Sequence, residues 1–316
     1  MANDLIEDIR RDAGLRRNAG RMLLFLVLLF SLDYLVSCVL QKGVERYYGL
    51  GSDAEILMVG HSHLMLGIDK VQLERRLGTK VAKYTREGVN VADREVMLRH
   101  YFMGQSGRCR LVVYGIDPWI FTGEGLSANS YTLFYPFMDN PEVDRYVHAH
   151  ARDRFDYYLH KWFRSSRYNV LLINAALRGY LGNWSNLKIG RLDTLALKKE
   201  IGTGNYRRIG IDEENVGRFT ETLDFLNEKQ VAVILLNTPV FHALTEVQKA
   251  EQEKVFSLIQ RLASRNRNIR FVDLSKGFDH RAELFFDPIH MNPEGQRELT
   301  DAFSVFVDSM QVLRKR

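Results

Sequence analysis

Cysteine is scarce. Cys38 and Cys109 are the only two in 316 residues, too few for a disulfide framework. Cys38 falls in an apolar run, so no bridge is expected. Positive charge is present, but not as a nucleic-acid footprint. The net charge of +5 comes largely from Arg10, Arg11, Arg16, Arg17 and Arg21, and from Arg314, Lys315 and Arg316 at the tail. Neither group interleaves with aromatics on one face, so no nucleic-acid partner is expected. No internal repeat and no low-complexity stretch occurs. Histidines do not recur at strand ends. His100 falls in a helical pattern, and His148, His150, His160 and His242 lie in or beside an aromatic-rich segment.

The chain has one long apolar run, residues 22–40, about the length a helix needs to cross a bilayer core. Basic residues 1–21 precede it, which predicts a cytoplasmic N-terminus and an external remainder. The expected order is a basic segment at 1–21, a transmembrane anchor at 22–41, a linker at 42–54 and a domain over 55–316. Asp33 interrupts the run. A carboxylate at that depth must be neutral or find a partner, such as another membrane protein. No small-x-small site marks cleavage. Leu35-Val36-Ser37-Cys38 is similar to a lipoprotein processing box, but Asp33 and Tyr34 spoil the run before it, and an uncleaved anchor is the better reading.

Beyond the linker, strands and helices alternate. Strands are expected near 55–59, 80–84, 110–114, 231–236 and 269–274. Helices are expected from Asp69 to Leu77, from Asn90 to Phe102, near 216–228, over 244–264, and from Asn292 and Pro293 to about Val312. This rhythm predicts a parallel sheet with helices on both faces. Residues 119–228 break it with many aromatics and read as a mainly helical insertion, the aromatics forming its own core rather than a sugar-stacking surface.

Two stretches carry chemistry. In Ile56-Leu57-Met58-Val59-Gly60-His61-Ser62-His63, an apolar strand ends in glycine, which permits a sharp turn, and delivers Ser62. In Asp287-Pro288-Ile289-His290, a carboxylate and an imidazole stand just before a helix start. Ser62 needs a base; His290 can serve, with Asp287 fixing the imidazole. No glycine stands two residues after Ser62, so this is not the nucleophile elbow of the α/β-hydrolases. His61 and His63 also admit a metal-hydrolase reading with Asp287 and His290.

These stretches resemble the SGNH (GDSL-like) hydrolases and acyltransferases, with His61 where an aspartate is usual and Asp287-Pro288-Ile289-His290 matching in full. The resemblance implies a three-layer, flavodoxin-like α/β fold and Ser62, Asp287 and His290 as the catalytic set. It implies an oxyanion hole from the Ser62 and Gly88 backbones and an asparagine side chain. Asp117 occupies that asparagine's place in Gly115-Ile116-Asp117. An ionised carboxylate would oppose an oxyanion, so Asp117 is expected to cap the turn before Pro118, with Asn90 or Asn237 as substitute donors and His61 beside the site. The resemblance further implies acyl-ester hydrolysis or transfer, acetyl above all, on a cell-envelope or exported polysaccharide. It implies no cofactor, a bacterial inner-membrane location with the domain outside, and a membrane-bound O-acyltransferase as partner. The altered motifs leave open a non-catalytic glycan- or partner-binding module.

Overall fold

The computed structural model describes residues 2–104, 108–123 and 129–313, with side chains from Leu15 onward. Arg314 to Arg316, and the side chains of Arg10 and Arg11, lie outside the described residues.

In chain order the elements are α1 (Ala2–Tyr48), β1 (Ile56–Gly60), α2 (Ser62–Gly67), α3 (Lys70–Leu77), β2 (Val81–Thr85), α4 (Val91–Met103) and β3 (Leu111–Ile116). The insertion adds α5 (Pro141–His150), α6 (Arg154–Trp162), α7 (Val170–Leu181) and α8 (Thr194–Gly202). The chain resumes with α9 (Glu213–Glu228), β4 (Ala232–Asn237), α10 (His242–Glu246), α11 (Lys249–Ala263), β5 (Ile269–Asp273), β6 (Phe285–Asp287), β7 (His290–Met291) and α12 (Pro293–Ser309).

Five strands form one parallel sheet in the order β2-β1-β3-β4-β5, the flavodoxin-like order of doubly wound folds. Strand side chains alternate between its faces. Leu57, Val59, Tyr84, Val112 and Tyr114 join the core beneath α4, α9 and α11. Ile56, Met58, Val81, Leu111 and Val113 join the core beneath α3 and α12, where Leu73, Leu299, Phe303 and Val307 are buried. Apolar strands covered on both sides are what a parallel sheet requires.

Several boundaries differ from the sequence reading. Residues 42–48, expected in a linker, continue α1 and enter the core: Val44 and Tyr48 are buried, and Tyr48 lies 4.9 Å from the Tyr84 ring. Burying a side chain such as Val44 stabilises this junction by roughly 1.5–3 kcal/mol. The insertion stops before α9, because Phe219 and Phe225 pack α9 onto Tyr114 and Phe102. The helix expected over 244–264 is broken at Gln248, which is buried and holds Ile209 N–H and Arg207 O instead. The insertion's aromatics divide: Phe134, Phe137, Tyr157 and Tyr168 are buried, but Tyr158, Trp162, Phe163 and Tyr180 are exposed. Asp33 finds its partner within the chain, accepting Arg164 N–H at 2.8 Å, Ser165 N–H at 2.9 Å and the Ser165 hydroxyl at 2.5 Å.

Lys83 secures α2 from below. It is buried in β2, and its Nζ donates to Met65 O at 2.7 Å and Ile68 O at 2.5 Å, at the C-terminal end of α2 where cations are favoured. Burial pushes its ammonium down to about 7 from 10.5. The folded chain therefore binds fewer protons than the unfolded chain between about pH 7 and 10.5. Stability rises with pH through that window, and the burial cost is carried in full below it. Lys83→Met should flatten this rise in a pH series of unfolding midpoints; a rise as steep as the parent's would assign it to another group.

Candidate active site

The site begins with the packing of two glycines. Gly60 is outside the left-handed region, so it serves by leaving room rather than by permitting a sharp turn as the sequence suggested. A Cβ on Gly60 would come within 3.0 Å of Leu64 Cδ2 and 3.3 Å of Gly115 Cα. A Cβ on Gly115 would come within 3.0 Å of Leu64 Cβ. Leu64 thus sinks between the ends of β1 and β3, and α2 starts at Ser62.

His61 caps α2. Its Nδ1 accepts the His63 N–H at 3.0 Å, so Nε2 carries the proton and donates it to Asp117 Oδ2 at 2.5 Å. Asp117 Oδ1 accepts the Trp119 N–H at 2.8 Å, the turn bond expected of this aspartate. Buried Arg94 lies 4.0 Å from Oδ2 and donates to Gly115 O at 2.9 Å and Val89 O at 3.3 Å. Burial pushes the Asp117 carboxyl up, but His61 beside it, then His63 and Arg94, outweigh this and hold it well below the carboxylate range. Burial pushes His61 down more than Asp117 lifts it, and pushes His63 further still. The His61–Asp117 pair is therefore a neutral imidazole donating to a carboxylate.

The β6–β7 hairpin supplies the other half. Asp287 Oδ1 accepts the Ile289 and His290 N–H groups, each at 3.0 Å, which aims Oδ2 at His290 Nδ1, 2.7 Å away. Burial pushes the Asp287 carboxyl up, but the hydrogen bond from His290 brings it below its ordinary value. With Nδ1 donating to Asp287, His290 Nε2 is left as an acceptor, and it lies 2.8 Å from Ser62 Oγ. Asn292 then caps α12, fixing the hairpin against the last helix.

A cavity of about 260 Å³ opens over Ser62. His61, His63, Asp117 and Trp119 form one wall, and Asp287, Pro288 and Ile289 another. The insertion contributes Leu197, Glu200 and Asn205 to Arg207, and Leu244 closes the far side. Trp119 is fixed at its indole, which donates to Arg207 O at 3.0 Å.

Gly88 adopts φ +79° in the β2–α4 loop, and Asn90 caps α4 through a capping box with Asp93. Neither lines the main cavity; Asn90 lines a smaller one beside it, of about 40 Å³, which shares Asp117 and Trp119. Asn237 donates to Asp273 Oδ1 at 2.8 Å and is committed to the sheet. The metal alternative finds no support in the geometry: both His61 nitrogens are engaged, and no group of three or more His, Cys, Asp or Glu among the described residues could hold a metal. Sequence reasoning missed Arg94, which carries no motif, and the wall from α8 to Arg207, which only the fold brings over Ser62.

The strand order, the serine at the end of β1 and the Asp-x-x-His before α12 together make this an SGNH-like α/β fold. No family model matches the chain, and no curated protein does. Among solved structures, it is similar to a carbohydrate esterase family 2 enzyme with a carbohydrate binding domain from Corynascus thermopiles (Myceliophthora fergusii), at 10% identity and a TM-score of 0.42. That match covers 80% of this chain but 65% of the other, so the chain spans less than two thirds of that protein's length. It is also similar to a Streptococcus pneumonia protein described as a platelet activating factor, at 12% identity and a TM-score of 0.38, covering 92% of this chain and 99% of the other.

Asp117→Ala would leave the His61 and Trp119 donors unanswered and Arg94 without its counter-charge. It should cost about 3–5 kcal/mol in urea unfolding, and Asp117→Asn clearly less, since one acceptor remains. A cost below about 1 kcal/mol, the size of an exposed pair, would overturn this account.

Proposed function

We propose that the chain is a membrane-anchored serine esterase or O-acyltransferase that works on a small acyl group, such as acetyl, carried by a cell-envelope or exported polysaccharide. The observation that carries this reading is the unbroken relay from Ser62 Oγ through His290 to Asp287, at 2.8 Å and 2.7 Å, opening on a cavity. The polysaccharide and the acetyl group rest on the sequence resemblance. The cavity volume suits a small acyl group and the edge of a sugar better than a long lipid chain.

In the reaction, Ser62 Oγ attacks the ester carbonyl carbon while His290 Nε2 takes its proton, and Asp287 stabilises the imidazolium. The carbonyl oxygen becomes an oxyanion, held by the Ser62 N–H at the start of α2. Collapse expels the alcohol, which receives the proton from His290, and leaves an acyl-Ser62 ester. Water or a sugar hydroxyl then gives its proton to His290 and attacks the acyl carbon, releasing Ser62. Asp117 stays outside this cycle, holding His61 and Trp119.

The chain sits by α1 in a bacterial inner membrane, with the catalytic domain outside the cytoplasm. Leu15–Tyr48 contains a window long and apolar enough to cross a bilayer, and Arg16, Arg17 and Arg21 flank it on the N-terminal side. In the transferase form, a membrane-bound O-acyltransferase is the partner that passes on the acyl group.

Ser62→Ala should lower hydrolysis of a model acetyl ester by about a thousandfold or more, roughly 4 kcal/mol of barrier, and abolish labelling by a serine-directed phosphonate. Parent protein with neither turnover nor labelling would favour a binding module instead. Chelators should leave activity intact. For orientation, an alkaline phosphatase fused after Arg316 should be active; an active cytoplasmic reporter at that point would reverse the topology.

A further inference from the structure

We infer that the insertion is itself a membrane-binding surface, with α6 and α7 seated in the outer leaflet of the bilayer that α1 crosses. This rests on the anchor reading above and adds a second lipid contact to it.

Length is the first constraint. A hydrocarbon core of about 30 Å takes about 20 helical residues, which from Met22 reach Gln41. Yet the insertion meets α1 long before Gln41. Phe163 stacks on Phe30 at 5.8 Å, only about 12 Å along the helix from Met22. Asp33 then binds the Arg164 and Ser165 backbone, and the Tyr180 hydroxyl donates to Val39 O at 2.8 Å. The free part of α1 is thus too short to cross alone. Whatever flanks Phe30 to Val39 shares its depth.

What flanks it is apolar on the outside. α7 buries Leu172, Ala175, Ala176 and Gly179, with the two glycines Gly43 and Gly179 in backbone contact where it crosses α1. Its other face presents Val170, Leu177 and Leu181, with Val170 80% and Leu181 79% exposed. Asn174 is exposed and Arg178 is half-buried against Tyr47 and Ser185, but the rest of the outer face is apolar, as a core or a membrane favours, and at 12 residues α7 is too short to span a membrane. On α6, Phe155, Tyr158 and Trp162 are exposed at spacings of three and four, with Trp162 69% exposed. Tyrosine and tryptophan in such a stripe are the side chains that favour the bilayer interface. The one carboxylate on this stretch of α1, Asp33, has its oxygens answered by three donors from the insertion, so it can lie at this depth.

The arrangement also brings the site toward the lipid surface. Leu171 of α7 lines a second cavity with Thr85, Arg86 and Glu87, at the C-terminal end of β2, beside the strand that delivers Ser62. A glycan still tethered to lipid, or emerging at the membrane, would meet the site without leaving the interface.

Tryptophan quenching by brominated phospholipid tests this with the full chain in vesicles. In a Trp162→Phe background, Leu28→Trp reports the anchor and Leu181→Trp reports α7; the parent minus Trp162→Phe reports α6. Loss of emission at all three in brominated vesicles, relative to unbrominated ones, is the expected result. Quenching of Leu28→Trp with none at Leu181→Trp or Trp162 would leave the anchor standing and overturn the inference, and a dimer in the same vesicles would then assign the face to a second copy. No quenching at Leu28→Trp would remove the anchor reading and this inference with it.

Discussion

One buried carboxylate ties the site together. Asp117 accepts from His61, which caps the helix bearing Ser62, and from the backbone of Trp119, which walls the cavity. Arg94 stands behind it from α4. Three elements that share no sequence neighbourhood thus meet at two oxygens. Because the carboxylate is spent on these donors, it does not confront the space above Ser62 as a free charge. Asp117, which stands where the resemblance would place an asparagine, is thus a structural residue, and its partner His61 stands where the same resemblance would place an aspartate.

The sheet was legible because its signals are local. Short β-branched and apolar runs, each closed by glycine or a helix cap, place β1 to β5 within a few residues, and Asp69, Asn90 and Asn292 cap the helices where their side chains suggest. The meeting of Ser62 with Asp287 and His290 was legible as a pairing of motifs, since the topology puts both at one end of the sheet. What was not legible depends on contacts across the fold. Gly60 looks like a turn glycine until Leu64 is seen between it and Gly115. Arg94 looks like an ordinary helix residue until its guanidinium is seen under the β3 carbonyl of Gly115. Residues 42–48 look like a polar linker because their buried side chains, Val44, Tyr47 and Tyr48, are spaced among Lys42, Glu45 and Arg46.

The insertion shows the same limit differently. Its aromatics divide between a packed interior and an exposed stripe, and composition alone cannot separate the two. Only the join to α1 through Phe163, Ser165 and Tyr168 tells which side faces the helix and which faces away. The same join explains Asp33, a costly residue in an isolated span and an ordinary one once the backbone of Arg164 and Ser165 surrounds it.

The continuity of α1 into the core has a mechanical consequence. A tethered enzyme on a flexible stalk samples a hemisphere of positions and reaches substrates at many heights. Here the helix that would cross the bilayer runs on without a break until Tyr48 is clamped against Tyr84, and α7 braces it from the side. Among the described residues, no break in α1 separates its apolar stretch from the sheet. In a membrane, Ser62 would hold a constant altitude and orientation, and any search for a partner would reduce to lateral diffusion in two dimensions.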